Sequence, residues 1–212
     1  MDVALRLRTV GSVSEAAAAP LLVVLDGPDY VRRARLLSVL RGQVETGRLP
    51  SHRLALVSAA DRFEAFSASP RYGRGLLAAL DELGRARRVG VGSSLGALAL
   101  LHAHVAAPGQ FSALFLQSGS FFRARTDPQE RRFPRFARIS RFVHAARGTP
   151  IAVTMTCGVE EENLANNRLM RDTLRAQGYD VRLHELAGGH DWDAWRGGVN
   201  PHLLELVARA AA

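Results

Sequence analysis

Short apolar runs alternate along this chain with stretches in which apolar positions recur at three- and four-residue intervals. The runs predict strands near Val3–Thr9, Leu21–Leu25, Leu54–Ser58, Arg88–Val91, Ala113–Gln117, Ile151–Cys157 and Val181–Leu186. The helical spacings predict helices near Tyr30–Arg41, Tyr72–Leu83, Leu95–Val105, Asn163–Gln177 and Pro201–Ala210. Strands and helices taken in turn argue an α/β class: a mainly parallel, doubly wound sheet with helices on both faces. Nothing marks an internal repeat, a linker or a second domain, so residues 1–212 read as one domain.

Composition fits that picture. A chain of 212 residues with 47% apolar content is enough for one core of this kind. The amino end, MDVALRLRTVGSV, lacks the basic-then-apolar pattern of a signal peptide, and no apolar run reaches about 18 residues, so the expectation is a cytoplasmic protein with no membrane partner. A single cysteine, Cys157, can form neither an internal disulfide nor a Cys-rich zinc site. Oligomeric state is not legible.

The net charge of +8 invites a nucleic-acid reading, but all 28 basic residues are arginine and none is lysine. With abundant Ala and Gly, that points to GC-rich coding DNA, and the arginines are spread along the chain, so no nucleic acid partner is expected. Charge is densest in Phe121–Arg147. There Phe133, Phe136, Ile139, Phe142 and Val143 recur at helical spacing around Pro134, predicting an amphipathic helix with a basic outer face. A core-facing helix with a solvated arginine face is the favoured reading; the other is a lid selecting anionic substrates.

The chemistry concentrates in Gly92–Ala97, G-S-S-L-G-A. Gly92 and Gly96 flank Ser94 at the spacing of a nucleophile elbow, where a serine on a strained strand-to-helix turn stays exposed only if its neighbours two before and two after lack side chains. The predicted strand before it and alanine-rich helix after it supply the required setting. A dinucleotide site is the rival use of such a turn. It fails, because the third glycine falls one residue late for G-x-G-x-x-G and no Asp or Glu lies between Glu82 and Asp127 to hold a ribose. No nicotinamide or flavin cofactor is therefore expected.

A serine nucleophile needs a histidine base, and the histidine a carboxylate, in the chain order Ser, acid, His. His102 and His104 lie in the elbow helix, His144 on the basic helix, His184 in a strand and His202 at the last helix; packing or surface roles suit them better. His190 follows Gly188 and Gly189 and precedes Asp191, Trp192 and Trp195, so a flexible loop can return to the sheet edge and be held there by aromatic packing. It is the candidate base. The acid should follow the strand that ends at Gly158, where Glu160, Glu161 and Glu162 stand in a row; the residues alone leave open which one faces His190.

These stretches together resemble the esterases grouped with ferric-enterobactin esterases, esterase D and the mycolyltransferases of the antigen 85 type, serine α/β-hydrolases without a large cap domain. The resemblance runs through LLVVLDGPDY (Leu21–Tyr30), DRFEAFSASPRY (Asp61–Tyr72), the elbow, FLQSGSFF (Phe115–Phe122), CGVEEENLANNR (Cys157–Arg168) and GGHDWDAW (Gly188–Trp195). It implies Ser94 as nucleophile, His190 as base and Glu161 as acid, with Glu160 as the alternative, and no metal. It also implies an oxyanion hole made by the Leu95 amide and by the residue after Asp26–Gly27. Here the chain departs from the group, because that residue is Pro28, which has no N–H; either Gly27 or Asp29 donates instead, or this half of the hole is weak. Ala97, where the group usually has glycine, is a smaller departure. The expectation is a serine carboxylesterase working on a small-molecule ester through an acyl-enzyme. The alternatives are acyl transfer by the same triad and a hydrolase-like binding protein with a crippled hole.

Overall fold

The computed structural model describes residues 3–84 and 86–211. Among them one sheet is built from β1 (Val3–Val10), β2 (Leu21–Leu25), β3 (His52–Ala59), β4 (Arg88–Ser93), β5 (Ala113–Gln117), β6 (Ala152–Gly158) and β7 (Asp180–Leu186). Strand order is β1-β3-β2-β4-β5-β6-β7. β1 is antiparallel to β3, and the remaining neighbours are parallel. The expected α/β class and mainly parallel sheet are what the chain forms. The direction of travel across the sheet reverses between β2 and β4, which puts the carboxyl end of β4 at the crevice where sites form in such sheets.

Alternation along each strand sorts side chains to two cores. Leu21, Val23 and Leu25 of β2 and Leu114 and Leu116 of β5 face one cluster, with Leu76 and Leu80 of α5 (Pro70–Asp81), Leu98 and Leu101 of α6 (Leu95–Ala106), and Met170 and Leu174 of α8 (Leu164–Arg175). Leu22, Val24, Val89, Val91 and Phe115 face the other. It holds Tyr30 of α2 (Gly27–Arg32), Leu36 and Leu40 of α3 (Leu36–Glu45), and Leu206 and Val207 of α10 (Leu204–Ala211). No helix among the described residues is long and apolar enough to cross a membrane.

Several elements differ from the expectation. The helix expected at Tyr30–Arg41 is two, α2 and α3. They are separated by a step at Arg33–Arg35, where Arg35 takes φ 53°, and no glycine or proline marks that step. Three short helices were not expected: α1 (Val13–Ala18), α4 (Arg62–Phe66) and α9 (Trp192–Gly198). α4 and α9 have readable starts, since Asp61 accepts from Glu64 N–H, and Asp191 from the amides of Asp193 and Ala194. In the basic segment the helix is α7 (Phe136–Ala145), so Phe133 and Pro134 precede it; Ile139 and Val143 are fully buried.

Candidate active site

Ser94 is the single residue between β4 and α6, at φ 55° and ψ −121°, a strained conformation for any residue with a side chain. Its amide donates to the Gln117 carbonyl at 2.8 Å, which ties the turn to β5. A Cβ on Gly92 would come within 2.8 Å of the Gly96 carbonyl carbon, so α6 can fold back over the strand only because that position is glycine.

His190 sits between β7 and α9. The Asp191 carboxylate caps α9, Trp195 meets the His190 ring edge-on at 5.1 Å between centroids, and Trp192 meets Trp195 at 4.9 Å. Gln117 anchors the helix from below by donating to the Trp195 carbonyl at 2.9 Å. Gly158 has no room for a Cβ, because the Gly188 carbonyl of the histidine loop lies directly against it.

The structure brings three of the expected residues together. His190 Nε2 lies 2.9 Å from Ser94 Oγ, and His190 Nδ1 lies 2.7 Å from Glu161 Oε2. With an ionised carboxylate at Nδ1, that nitrogen carries the proton and Nε2 is free to accept from the serine hydroxyl. The Glu161 side chain is 1% exposed, and its other oxygen accepts from the Ser118 hydroxyl at 2.5 Å and the Gly158 amide at 2.8 Å. Glu160 and Glu162 are exposed. Glu160, the alternative acid, is not the residue at His190; its amide is tied to the Gly188 carbonyl at 3.2 Å, which turns Glu161 inward.

The oxyanion-hole expectation narrows. Asp29 is corrected: its amide donates to the Asp26 carbonyl at 2.9 Å in the first turn of α2 and is not free to serve. Gly27 and Leu95 each occupy the first position of a helix, where an N–H has no acceptor within its own helix. A Cβ on Gly96 would lie 3.5 Å from Asp26 Oδ2, which places the Asp26–Gly27 turn against the start of α6. Arg62 grips the Asp26 carboxylate through Nε and Nη2 at 2.8–3.0 Å and holds that turn. Pro28 turns away, lining a separate cavity with Val31, Leu37 and Leu56.

Around Ser94 lies a cavity of about 370 Å³ lined by Phe122, Phe133, Ser120, Asn163 and the carboxylates Glu130, Glu160, Glu161 and Glu162. No arginine is among the described residues lining it, although Phe122, Glu130 and Phe133 of the basic segment are. Arg135 and Arg138 are turned onto Glu64 instead, at 2.5 and 2.7 Å. Burial, then Asp127 and Glu162 nearby, push the Glu130 carboxyl above its ordinary value. Burial and the adjacent Glu161 push the Cys157 thiol up, so it is no nucleophile at neutral pH. No group of three potential ligands among the described residues is placed to hold a metal. Sequence reasoning assigned no role to Ser118 or to Ser120, whose hydroxyl lies 3.2 Å from Ser94 Oγ, although both stand in the FLQSGSFF stretch.

Residues 76–206 match the family described as Putative esterase. The chain belongs to that family. It is 30% identical to an iron(III) enterobactin esterase of Dickeya dadantii (strain 3937), over 91% of this chain and 49% of the relative. Among solved structures it resembles the enterobactin esterase of Shigella flexneri determined in the presence of enterobactin, with TM-score 0.75 and 23% identity, covering 97% of this chain and 54% of that one. A ferulic acid esterase superposes with TM-score 0.72 at 16% identity, over 99% of this chain and all of the other. These likenesses establish an α/β-hydrolase fold. The chain spans about half the length of the enterobactin esterases it matches.

Proposed function

We propose that this esterase-family chain is a serine carboxylesterase working through an acyl-enzyme. The observation that carries the reading is the continuous pair of hydrogen bonds from Glu161 Oε2 through the His190 ring to Ser94 Oγ, 2.7 and 2.9 Å. His190 Nε2 takes the Ser94 proton as Oγ attacks the ester carbonyl. The Glu161 carboxylate stabilises the imidazolium, and the amides of Leu95 and Gly27 receive the oxyanion. The imidazolium then returns the proton to the departing alcohol oxygen. Water enters, His190 deprotonates it, and attack on the acyl-enzyme releases the acid and frees Ser94.

The ester is read from the cavity. Phenyl rings at Phe122 and Phe133 suit an apolar or aromatic acyl group, and the surrounding carboxylates favour neutral or cationic substrates over anionic ones. The test is labelling by a fluorophosphonate together with a panel of esters varied in acyl length, aromaticity and charge. Ser94→Ala should abolish labelling and turnover while the melting curve is kept. A label on another serine, or none on the wild type, overturns the reading.

A further inference from the structure

We propose that Ser118 is a positioning residue of the triad, its hydroxyl fixing the Glu161 carboxylate, with the Trp195 indole N–H behind it, so that one oxygen alone faces His190. The inference rests on the triad reading above. Trp195 Nε1 donates to Ser118 Oγ at 2.9 Å, and the Ser118 hydroxyl has its one proton left for Glu161 Oε1 at 2.5 Å. The Gly158 amide donates to the same oxygen, so Oε1 is occupied and Oε2 is left for His190 Nδ1. Each link is buried: Ser118 is 0% exposed, and Glu161 and Trp195 are 7%.

The backbone at Ser118 supports the assignment. It sits at φ 47°, a left-handed conformation that favours glycine. Its surroundings hold it there: Ser118 N–H donates to the Thr156 carbonyl at 2.7 Å, and Asn163 Nδ2 donates to the Ser118 carbonyl at 3.1 Å. Asn167 clasps the next residue from both sides, accepting from Gly119 N–H and donating to its carbonyl. Glycine would relieve the strain at 118. It would also leave a buried indole N–H without an acceptor and remove one of two donors from a buried carboxylate oxygen. A hydroxyl is therefore required where the backbone alone would favour glycine.

Removing that donor should make the Glu161 carboxylate a stronger acceptor for His190 Nδ1–H and stabilise the imidazolium, so the acid limb of kcat/KM should move to higher pH. The charged groups facing His190 are Glu161 at Nδ1 and Glu130, Glu160 and Glu162 around the cavity, while the neighbouring Asp191 carboxylate is turned to cap α9. Of these, a change at Ser118 touches Glu161 alone.

The experiment compares wild type with Ser118→Ala, Ser118→Gly and Trp195→Phe by pH–rate profiles, thermal melts and the His190 Nδ1–H proton signal in NMR spectra. Both Ser118 variants should lose about 10- to 100-fold in kcat with little change in KM, and their acid limbs should rise by about half a pH unit. Trp195→Phe should move the limb the same way by less, and adding it to Ser118→Ala should cost nothing further, because the two act in series. Wild-type kcat in Ser118→Gly, or a loss with an unmoved acid limb, overturns the proposal. If the Ser118 variants do not fold, an unmoved limb in Trp195→Phe does so. The Nδ1–H signal separates this failure from that of the triad reading. An unlabelled Ser94 sinks the triad, whereas an unchanged Nδ1–H in Ser118→Ala sinks the positioning role whatever the turnover.

Discussion

Changing Glu161 to glutamine keeps the size of a fully buried side chain but removes the charge that, in the proposed mechanism, stabilises the His190 imidazolium. Its amide nitrogen can also turn toward Oε1's donors or toward Nδ1, where a second donor is unwelcome. We expect Glu161→Gln to lower kcat by about 10²- to 10⁴-fold, against about twofold or less for Glu160→Gln and Glu162→Gln, whose side chains stay in solvent. Steady-state kinetics on one ester checks this, and a larger loss at Glu160 would mean the loop register differs by one. Ser94 and His190 were legible because steric rules mark them: glycines at fixed offsets for one, a Gly-Gly return before tryptophans for the other. The carboxylate that meets His190 was legible from the residues only as one of three, since a turn of one residue chooses among identical side chains. That choice is made by the Gly188 carbonyl, which packs against Gly158 and accepts from the Glu160 amide, contacts between segments about 30 residues apart.

The basic segment gains its place at the scale of elements. Arg135 and Arg138 both bond the Glu64 carboxylate, and Arg138 also donates to the carbonyls of Glu64 and Ser67, so α7 is pinned over α4. Those hydrogen bonds, Arg138 first, hold the Glu64 carboxyl below its ordinary value of 4.5. A depressed carboxyl stabilises the fold above its unfolded-state value and stops doing so as pH falls through the folded one. Glu64→Gln should therefore melt about 2 °C below wild type at neutral pH, a small gap because the pair is partly solvated. The gap should stay level above the ordinary carboxyl value of 4.5 and narrow as pH falls below it. Melting curves across that range test the linkage; a gap that persists in acid refutes it. The helix itself was legible from its apolar spacing. Its partner was not, because α4 is a single short turn whose ion pairs with α7 span 71 and 74 residues of chain.

Over the whole molecule the charge is strongly positive, yet the cavity at Ser94 is lined by carboxylates and phenyl rings. Among esters matched in size, we expect kcat/KM to rank cationic above neutral above anionic. The extremes should differ by about tenfold at low salt and converge as salt screens the rim carboxylates, to be measured on a homologous series. Preference for the anion would contradict the cavity as described. By itself the sequence determined the α/β class, the parallel strands and the serine and histidine of the candidate site, because apolar periodicity and steric demands at glycines act over a few residues. Only the tertiary structure decided that Asp29's amide is spent in α2, that Glu161 faces His190 and that Arg135 and Arg138 turn onto Glu64. It also brought Ser118 and Trp195 onto the acid. Each of these depends on which strands are neighbours and in what register, a pairing of distant segments that no local pattern of residue types encodes.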